Sequence, residues 1–203
     1  MKRGFDIAVA LAALVCLGPL LLVVGILIWR EDGPPVFFRQ TRVGRGGRPF
    51  RIVKFRTMRA SSGPSITVAG DSRVTRMGVR LRRWKLDELP QLWNVLRGDM
   101  SLVGPRPEIP EYVELYPPKA RQVLRVRPGL TGPAQIEGLD EEEELRSAAD
   151  PERFYREVLL PRKLEIDLRY AARASLAADF PILVRTLRRM LSRHAGASHA
   201  AAE

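Results

Sequence analysis

KLDELPQLWNVLRGDMSLVGPRPE, Lys85 to Glu108, sets two adjacent carboxylates, Asp87 and Glu88, ahead of an apolar helix and closes on a Pro-Arg-Pro turn. Pro90 is compatible with the first turn of a helix, where its missing N–H has no partner to lose. Leu89, Leu92, Trp93 and Leu96 then recur at helical spacing, which predicts one apolar face. Gly98 ends the helix. The acidic pair therefore belongs at or just outside a helix N-terminus, where unpaired backbone N–H groups favour negative charge. Acidic residues at helix starts are common caps, so the pair alone does not establish catalysis.

Composition bounds the rest. A chain of 203 residues holds one catalytic domain plus a membrane segment, and hardly two full domains. Its formal net charge of +11 implies an anionic partner, and nucleic acid, anionic lipid and nucleotide-sugar phosphate all qualify. The single cysteine, Cys16, excludes an intramolecular disulfide framework. His194 and His199 lie in a small-residue tail, so a zinc site is not expected. Any metal should be a hard cation held by carboxylate and phosphate oxygens, which points to Mg²⁺.

Ile7 to Trp29 carries no charged residue and would measure roughly 34 Å as one helix, enough to cross a bilayer. No small-residue cleavage site precedes Arg30-Glu31-Asp32, so a cleaved signal peptide is not the expected reading. Gly18-Pro19 interrupts the run at its centre. Pro19 cannot donate to the carbonyl of Val15 and crowds it, so a break is expected there, leaving arms of roughly 17 Å, about one leaflet each. Positive charge flanks both ends: Lys2 and Arg3 before, Arg30, Arg39, Arg42, Arg45 and Arg48 after. A helix that enters, bends and returns keeps both ends on one side and is favoured over a simple span.

Downstream, Val36 to Val43 and Phe50 to Met58 read as a hairpin around the glycine-rich turn Gly44 to Pro49, which lacks the ending of a nucleotide-binding P-loop. Period two puts Phe50, Ile52, Lys54 and Arg56 on one face. Ser61 to Asp71 is a loop, and Val74 to Trp84 a basic helix. Pro105 and Pro107 fix the backbone of Arg106, whose planar fork suits phosphate or a pyrimidine edge. Arg127, in the turn Arg127-Pro128-Gly129, is a further candidate phosphate contact. Glu111 to Arg125 and Phe154 to Tyr170 read as amphipathic, interrupted at Pro117-Pro118 and near Pro161. Phe180 to Leu191, with Arg185, Arg188 and Arg189, suits either an anionic membrane surface or packing on the core.

Taken as ordered motifs, this string resembles the bacterial sugar transferases, the monotopic phosphoglycosyl transferases that load a polyprenyl phosphate with phospho-sugar. The match extends upstream through GPPVFFRQTRVGRGGRPFRIVKFRTM (Gly33 to Met58) and downstream to VRPGLTGPAQIEG (Val126 to Gly138). With the apolar segment it covers most of residues 1 to about 190. The resemblance implies an α+β, mainly α fold: a re-entrant membrane helix broken at Gly18-Pro19 over 1–30 and a catalytic domain over 31–194 with a β-hairpin and amphipathic helices at the membrane surface; composition adds a disordered tail over 195–203. Gly18 replaces the serine that usually precedes that proline in the family.

It also implies a reaction: transfer of a sugar 1-phosphate from a nucleoside diphosphate sugar, a uridine nucleotide by family expectation, to undecaprenyl phosphate, with release of the monophosphate. This would be the first membrane step of polysaccharide or glycoconjugate assembly, at the cytoplasmic face of a bacterial inner membrane, in contact with its lipid. Asp87 takes the role of nucleophile and Mg²⁺ ligand, with Glu88 assisting the acceptor or the metal. Lys54 and Arg56 match the family's cationic strand motif, and Pro105, Arg106 and Pro107 its nucleotide pocket. Asp179 falls where the family often has an aspartate before an apolar helix. Two multiply charged anions meeting in one site account for the Arg/Lys excess better than nucleic acid does, so no nucleic-acid partner is expected. Self-association as a homodimer stays open. Two rivals are an alcohol phosphotransferase with membrane-embedded aspartates, whose several spans and spaced-aspartate pattern are missing, and a membrane-tethered basic binding module, which would leave Asp87 and Glu88 dispensable.

Overall fold

A single long helix, α1 (Lys2–Asp32), leads into an antiparallel hairpin of β1 (Phe37–Val43) and β2 (Pro49–Phe55), paired from Phe37↔Phe55 to Val43↔Pro49. The computed structural model describes residues 1–59, 67–68, 70–137 and 141–199. Most of the expected Ser61 to Asp71 loop lies outside them. α2 (Arg76–Arg83) follows, capped by the Thr75 hydroxyl. A 3-10 turn, Leu86–Gln91, then feeds α3 (Leu92–Arg97). β3 (Ser101–Val103), α4 (Pro110–Glu114), a second 3-10 turn at Ala120–Arg125 and β4 (Gly129–Thr131) come next, with β3 and β4 parallel. The remaining helices are α5 (Pro133–Ile136), α6 (Glu141–Arg146), α7 (Pro151–Phe154), α8 (Leu160–Ala171) and α9 (Leu176–His199). A π-helical turn, Tyr155–Leu159, joins α7 to α8. Pro161 has no N–H to offer one turn back, and the chain widens just before it instead of breaking.

The predominance of helix and the hairpin agree with expectation, but α1 does not break. It stays helical through Pro19, which costs the bond to Val15 yet leaves every flanking residue free to continue. Its 31 residues measure about 46 Å. One stripe, Asp6, Ala10, Val24 and Ile28, is buried against the rest of the chain. The other faces are bare: Leu11, Val15, Leu22 and Trp29 are 53%, 70%, 66% and 58% exposed. Such a continuous apolar surface in water would be strongly unfavourable, so it marks a surface that meets lipid or protein.

Both ends of α1 are tied to the same folded unit. At the start, Lys2 pairs with Asp179, and Arg3 donates to the carbonyls of Val95 at 2.6 Å and Leu96 at 2.9 Å. Asp6 accepts from the Ser101 hydroxyl at 2.8 Å and the Leu102 N–H at 3.2 Å. At the finish, Arg56 donates to the carbonyls of Asp32 at 2.8 Å and Gly33 at 2.6 Å. Arg3 and Arg56 thus satisfy the free carbonyls that end α3 and α1.

Among the described residues, three apolar clusters fill the interior. One packs the C-terminal half of α1 on Phe55, Met77 and Leu81, and another packs its N-terminal half on Ile52, Leu92, Val95, Met100 and Val103. The third joins Val43, Ile109, Tyr112, Tyr116, Leu159 and Leu164. Trp93, expected inside, is 54% exposed, because α3 turns Leu92 and Val95 inward instead.

Candidate active site

The acidic pair is reached by a sharp reversal. Lys85 adopts a left-handed backbone with φ 56°, uncommon for a residue with a side chain, and this swings the chain from α2 into the 3-10 turn. Asp87 and Glu88 occupy the first turn of that segment, one step earlier than the α-helix start expected for them. Both are 7% exposed. Gly98, at φ 93°, ends α3 in the left-handed conformation expected of it.

Glu88 is the hub. Its Oε1 accepts from Lys54 Nζ at 3.0 Å and Arg106 Nη2 at 2.7 Å, and Oε2 accepts from Arg106 Nη1 at 3.4 Å. Burial alone would raise the Glu88 pKa, but Arg106 and Lys54 hold it well below the usual carboxylate range. Burial lowers the Lys54 ammonium to about 8, with Glu88 opposing and Arg106 adding to the shift. Arg106 is held firmly charged by Glu88. A carboxylate and two cations are thus fixed in one place at little further entropic cost.

Asp87 differs in kind. Burial and the neighbouring Glu88 charge raise its pKa, against Lys54, Lys85 and Arg82. Its Oδ1 is buried with no hydrogen-bond partner among the described residues, and in the same turn so is Nε2 of Gln91. A buried polar atom left without a partner costs free energy unless a ligand completes it. Asp87 therefore presents an uncommitted, poorly solvated carboxylate beside a fixed positive charge. That is the arrangement for attacking an electrophilic phosphorus or for ligating a cation.

Among the described residues, no group of three or more His, Cys, Asp or Glu side chains could hold a metal by itself. One free carboxylate oxygen does fit Mg²⁺, which commonly takes one or two protein carboxylates and completes its shell with water and substrate phosphate.

The other expected site residues divide. Pro105 and Pro107 flank Arg106, and their carbonyls accept from Gly129 N–H at 2.9 Å and Arg42 Nη1 at 3.2 Å. Arg56 falls just past the end of β2 and goes to the last carbonyls of α1, away from Glu88. Arg127 donates through Nε to the Gly98 carbonyl at 2.9 Å. Asp179 is 1% exposed and joins Lys2 and the Tyr170 hydroxyl, the latter at 2.6 Å, in a group separate from the acidic pair.

Sequence reading missed Asn94, which is 1% exposed. Its side chain accepts from Val53 N–H at 3.1 Å and donates to the Arg51 carbonyl at 2.8 Å. By acting as a partner strand for β2 it sets Lys54 opposite Glu88.

A family model described as bacterial sugar transferase matches residues 1–193. The chain is 41% identical over 197 residues to a UDP-glucose:undecaprenyl-phosphate glucose-1-phosphate transferase of Caulobacter vibrioides, covering 94% of this chain and 70% of that protein. It is 40% identical over 198 residues to a UDP-N-acetylgalactosamine-undecaprenyl-phosphate N-acetylgalactosaminephosphotransferase of Aeromonas hydrophila, covering 95% of this chain and 44% of that one. Exopolysaccharide production protein PSS of Rhizobium leguminosarum bv. phaseoli is 40% identical over 207 residues, 97% of this chain and 98% of its own.

Proposed function

The chain belongs to the bacterial sugar transferase family, and from that footing we propose that it moves a sugar 1-phosphate from a UDP-sugar to undecaprenyl phosphate, releasing UMP. The observation that carries this reading is the uncommitted, buried Asp87 carboxylate next to Glu88 locked between Lys54 and Arg106.

In this reading Asp87 attacks the sugar-proximal phosphorus of the donor. A P–O bond to Asp87 forms as the pyrophosphate P–O bond breaks, UMP leaves, and an acyl phosphate remains on the enzyme. The acceptor phosphate then displaces Asp87 and regenerates the carboxylate. Glu88 aligns the acceptor phosphate, while Lys54 and Arg106 neutralise charge that grows on the leaving nucleotide. Mg²⁺, when bound at Asp87 and substrate phosphate oxygens, supplies further charge neutralisation. The relatives at about 40% identity carry different sugar names, so overall similarity does not select the donor sugar.

Topology is part of the proposal. A helix with both ends fastened to one folded unit cannot leave its N-terminus across the bilayer from that unit. We therefore read α1 as re-entrant, bending at Pro19 with helical backbone on either side, its bare face in lipid and its stripe from Asp6 to Ile28 on the catalytic unit. Placement on the cytoplasmic face of an inner membrane follows from where UDP-sugars are made.

The test is product identity. Purified protein, undecaprenyl phosphate, Mg²⁺ and a panel of UDP-sugars should yield UMP with at least one donor and no UDP. Release of UDP would mean attack at the sugar carbon and would remove Asp87 from its assigned role. Binding without any nucleotide release, insensitive to Asp87→Asn, would favour the basic binding module.

A further inference from the structure

Behind the Arg106 turn lies a polar group that the proposed mechanism does not use. Glu108, 7% exposed, accepts through Oε1 from the Tyr155 hydroxyl at 2.6 Å and from Lys163 Nζ at 2.7 Å. Lys163 is itself 4% exposed, also donates to the Tyr155 oxygen at 3.0 Å, and reaches Glu141 at 3.1 Å. Arg42 lies 3.7 Å from the other Glu108 oxygen. These charges sit against the cluster of Val43, Ile109, Tyr112, Tyr116 and Leu164. Buried ion pairs are poor sources of stability, and well-packed apolar residues often do as well. A geometric role accounts for their presence better.

We propose that Glu108, Lys163, Tyr155 and Arg42 form a positioning set that aims Arg106 at Glu88, and this rests on the transferase reading above. Every carbonyl that flanks Arg106 is held. Pro105 O accepts from Gly129 N–H at 2.9 Å, Pro107 O from Arg42 at 3.2 Å, and Glu108 O from Val43 N–H at 2.9 Å. Beneath the turn, a side chain at Gly104 or Gly129 would collide with backbone of the neighbouring segment, so these strands meet backbone to backbone.

Packing behind the turn is incomplete: a cavity of about 20 Å³, room for one water, lies at its back between Pro107, Tyr116, Val123 and Asp167. The polar contacts of Glu108 and Arg42 hold the turn on that side. Arg42 also stands on β1, whose pairing of Phe38 with Lys54 fixes the second cation. One carboxylate, Glu108, thereby braces both cations that face Glu88. None of the four residues touches the reacting atoms. They act through Arg106 and Lys54.

The experiment uses the full chain in lipid nanodiscs with ¹⁵N-labelled arginine. The Arg106 Nε–H resonance is assigned by its loss in Arg106→Lys. It should be sharp and slow to exchange in the native protein. In Glu108→Gln it should broaden and exchange at least about tenfold faster, while the Arg73 and Arg3 signals, held by other partners, stay in place. Lys163→Arg should restore most of the order that Lys163→Gln loses. Tyr155→Phe, the mildest change, serves if Glu108→Gln fails to fold. In a second arm, Glu108→Gln should slow formation of the phospho-sugar adduct about 10- to 100-fold, yet have no further effect in an Arg106→Ala background. An unchanged Arg106 resonance across all variants, or effects that multiply in the double variant, would overturn the proposal. If no donor forms an adduct on native protein, the transferase reading fails, and the resonance arm still decides whether the set orders Arg106.

Discussion

At the scale of single residues, charge state separates Lys54 from Arg106. Burial lowers Lys54 to about 8, whereas Arg106 stays charged at any working pH. In the free enzyme the Lys54 ammonium is present below about 8 and lost above it. Donor kcat/KM should accordingly fall as pH rises through about 8. Lys54→Gln should lack this limb and run about 10- to 100-fold lower throughout. A native profile flat from pH 7 to 10 would contradict the role given to Lys54. Asp87, Glu88, Lys54 and Arg106, singled out by the match to family motifs, lie together in the structure. Arg56 does not join them: period two puts it beside Lys54, but β2 stops at Phe55 and the next side chain turns to carbonyls of a distant helix end. Asp179, expected by resemblance just before an apolar helix, lies in the first turn of α9 as the buried partner of Lys2, a pairing that only the tertiary fold creates.

At the scale of elements, α8 carries a titrating carboxylate. Burial pushes Asp167 up to about 7, with Glu108, Glu141 and Glu137 adding to the shift and Lys163 opposing it. Below its ordinary value of 3.8, folded and unfolded chains both hold the proton and the group costs nothing. Between 3.8 and about 7 the unfolded chain releases it and the folded chain does not, so stability falls with rising pH and then levels. Asp167→Asn should therefore gain on the native protein from about pH 4 to 7, by on the order of 2–4 kcal/mol, and show no advantage at lower pH. Chemical denaturation at several pH values measures it, and a constant difference would contradict the assignment. The end of α3 was readable, since Gly98 acts through a backbone rule, whereas the interruption expected near Pro161 is a π-helical turn that runs on into α8. The strand-like role of Asn94 was not readable, because a side chain replacing a strand edge leaves no periodic signature.

For the whole molecule, the question is how α1 meets the bilayer. Its backbone stays helical through Pro19, and its tethered ends keep both termini with one folded unit. Flanking charge was visible in the sequence, whereas the tethers were not, since they join residues far apart along the chain. The protein should remain with membranes through high-salt washing and leave only with detergent, because apolar burial rather than screened charge holds it. Cysteines placed at position 2 and at Arg30 should be labelled from the same side by an impermeant reagent. Labelling from opposite sides would establish a span.

The central claim, that Asp87 carries the sugar phosphate, is tested most directly by intact-protein mass after mixing with a competent UDP-sugar and Mg²⁺ without acceptor. The account predicts a mass increase equal to one sugar phosphate, mapped by peptide fragmentation to Asp87. Undecaprenyl phosphate should discharge it, and Asp87→Asn should abolish it. Unmodified native protein while UMP accumulates on adding acceptor would mean direct transfer between the two substrates, and Asp87 would not be the nucleophile.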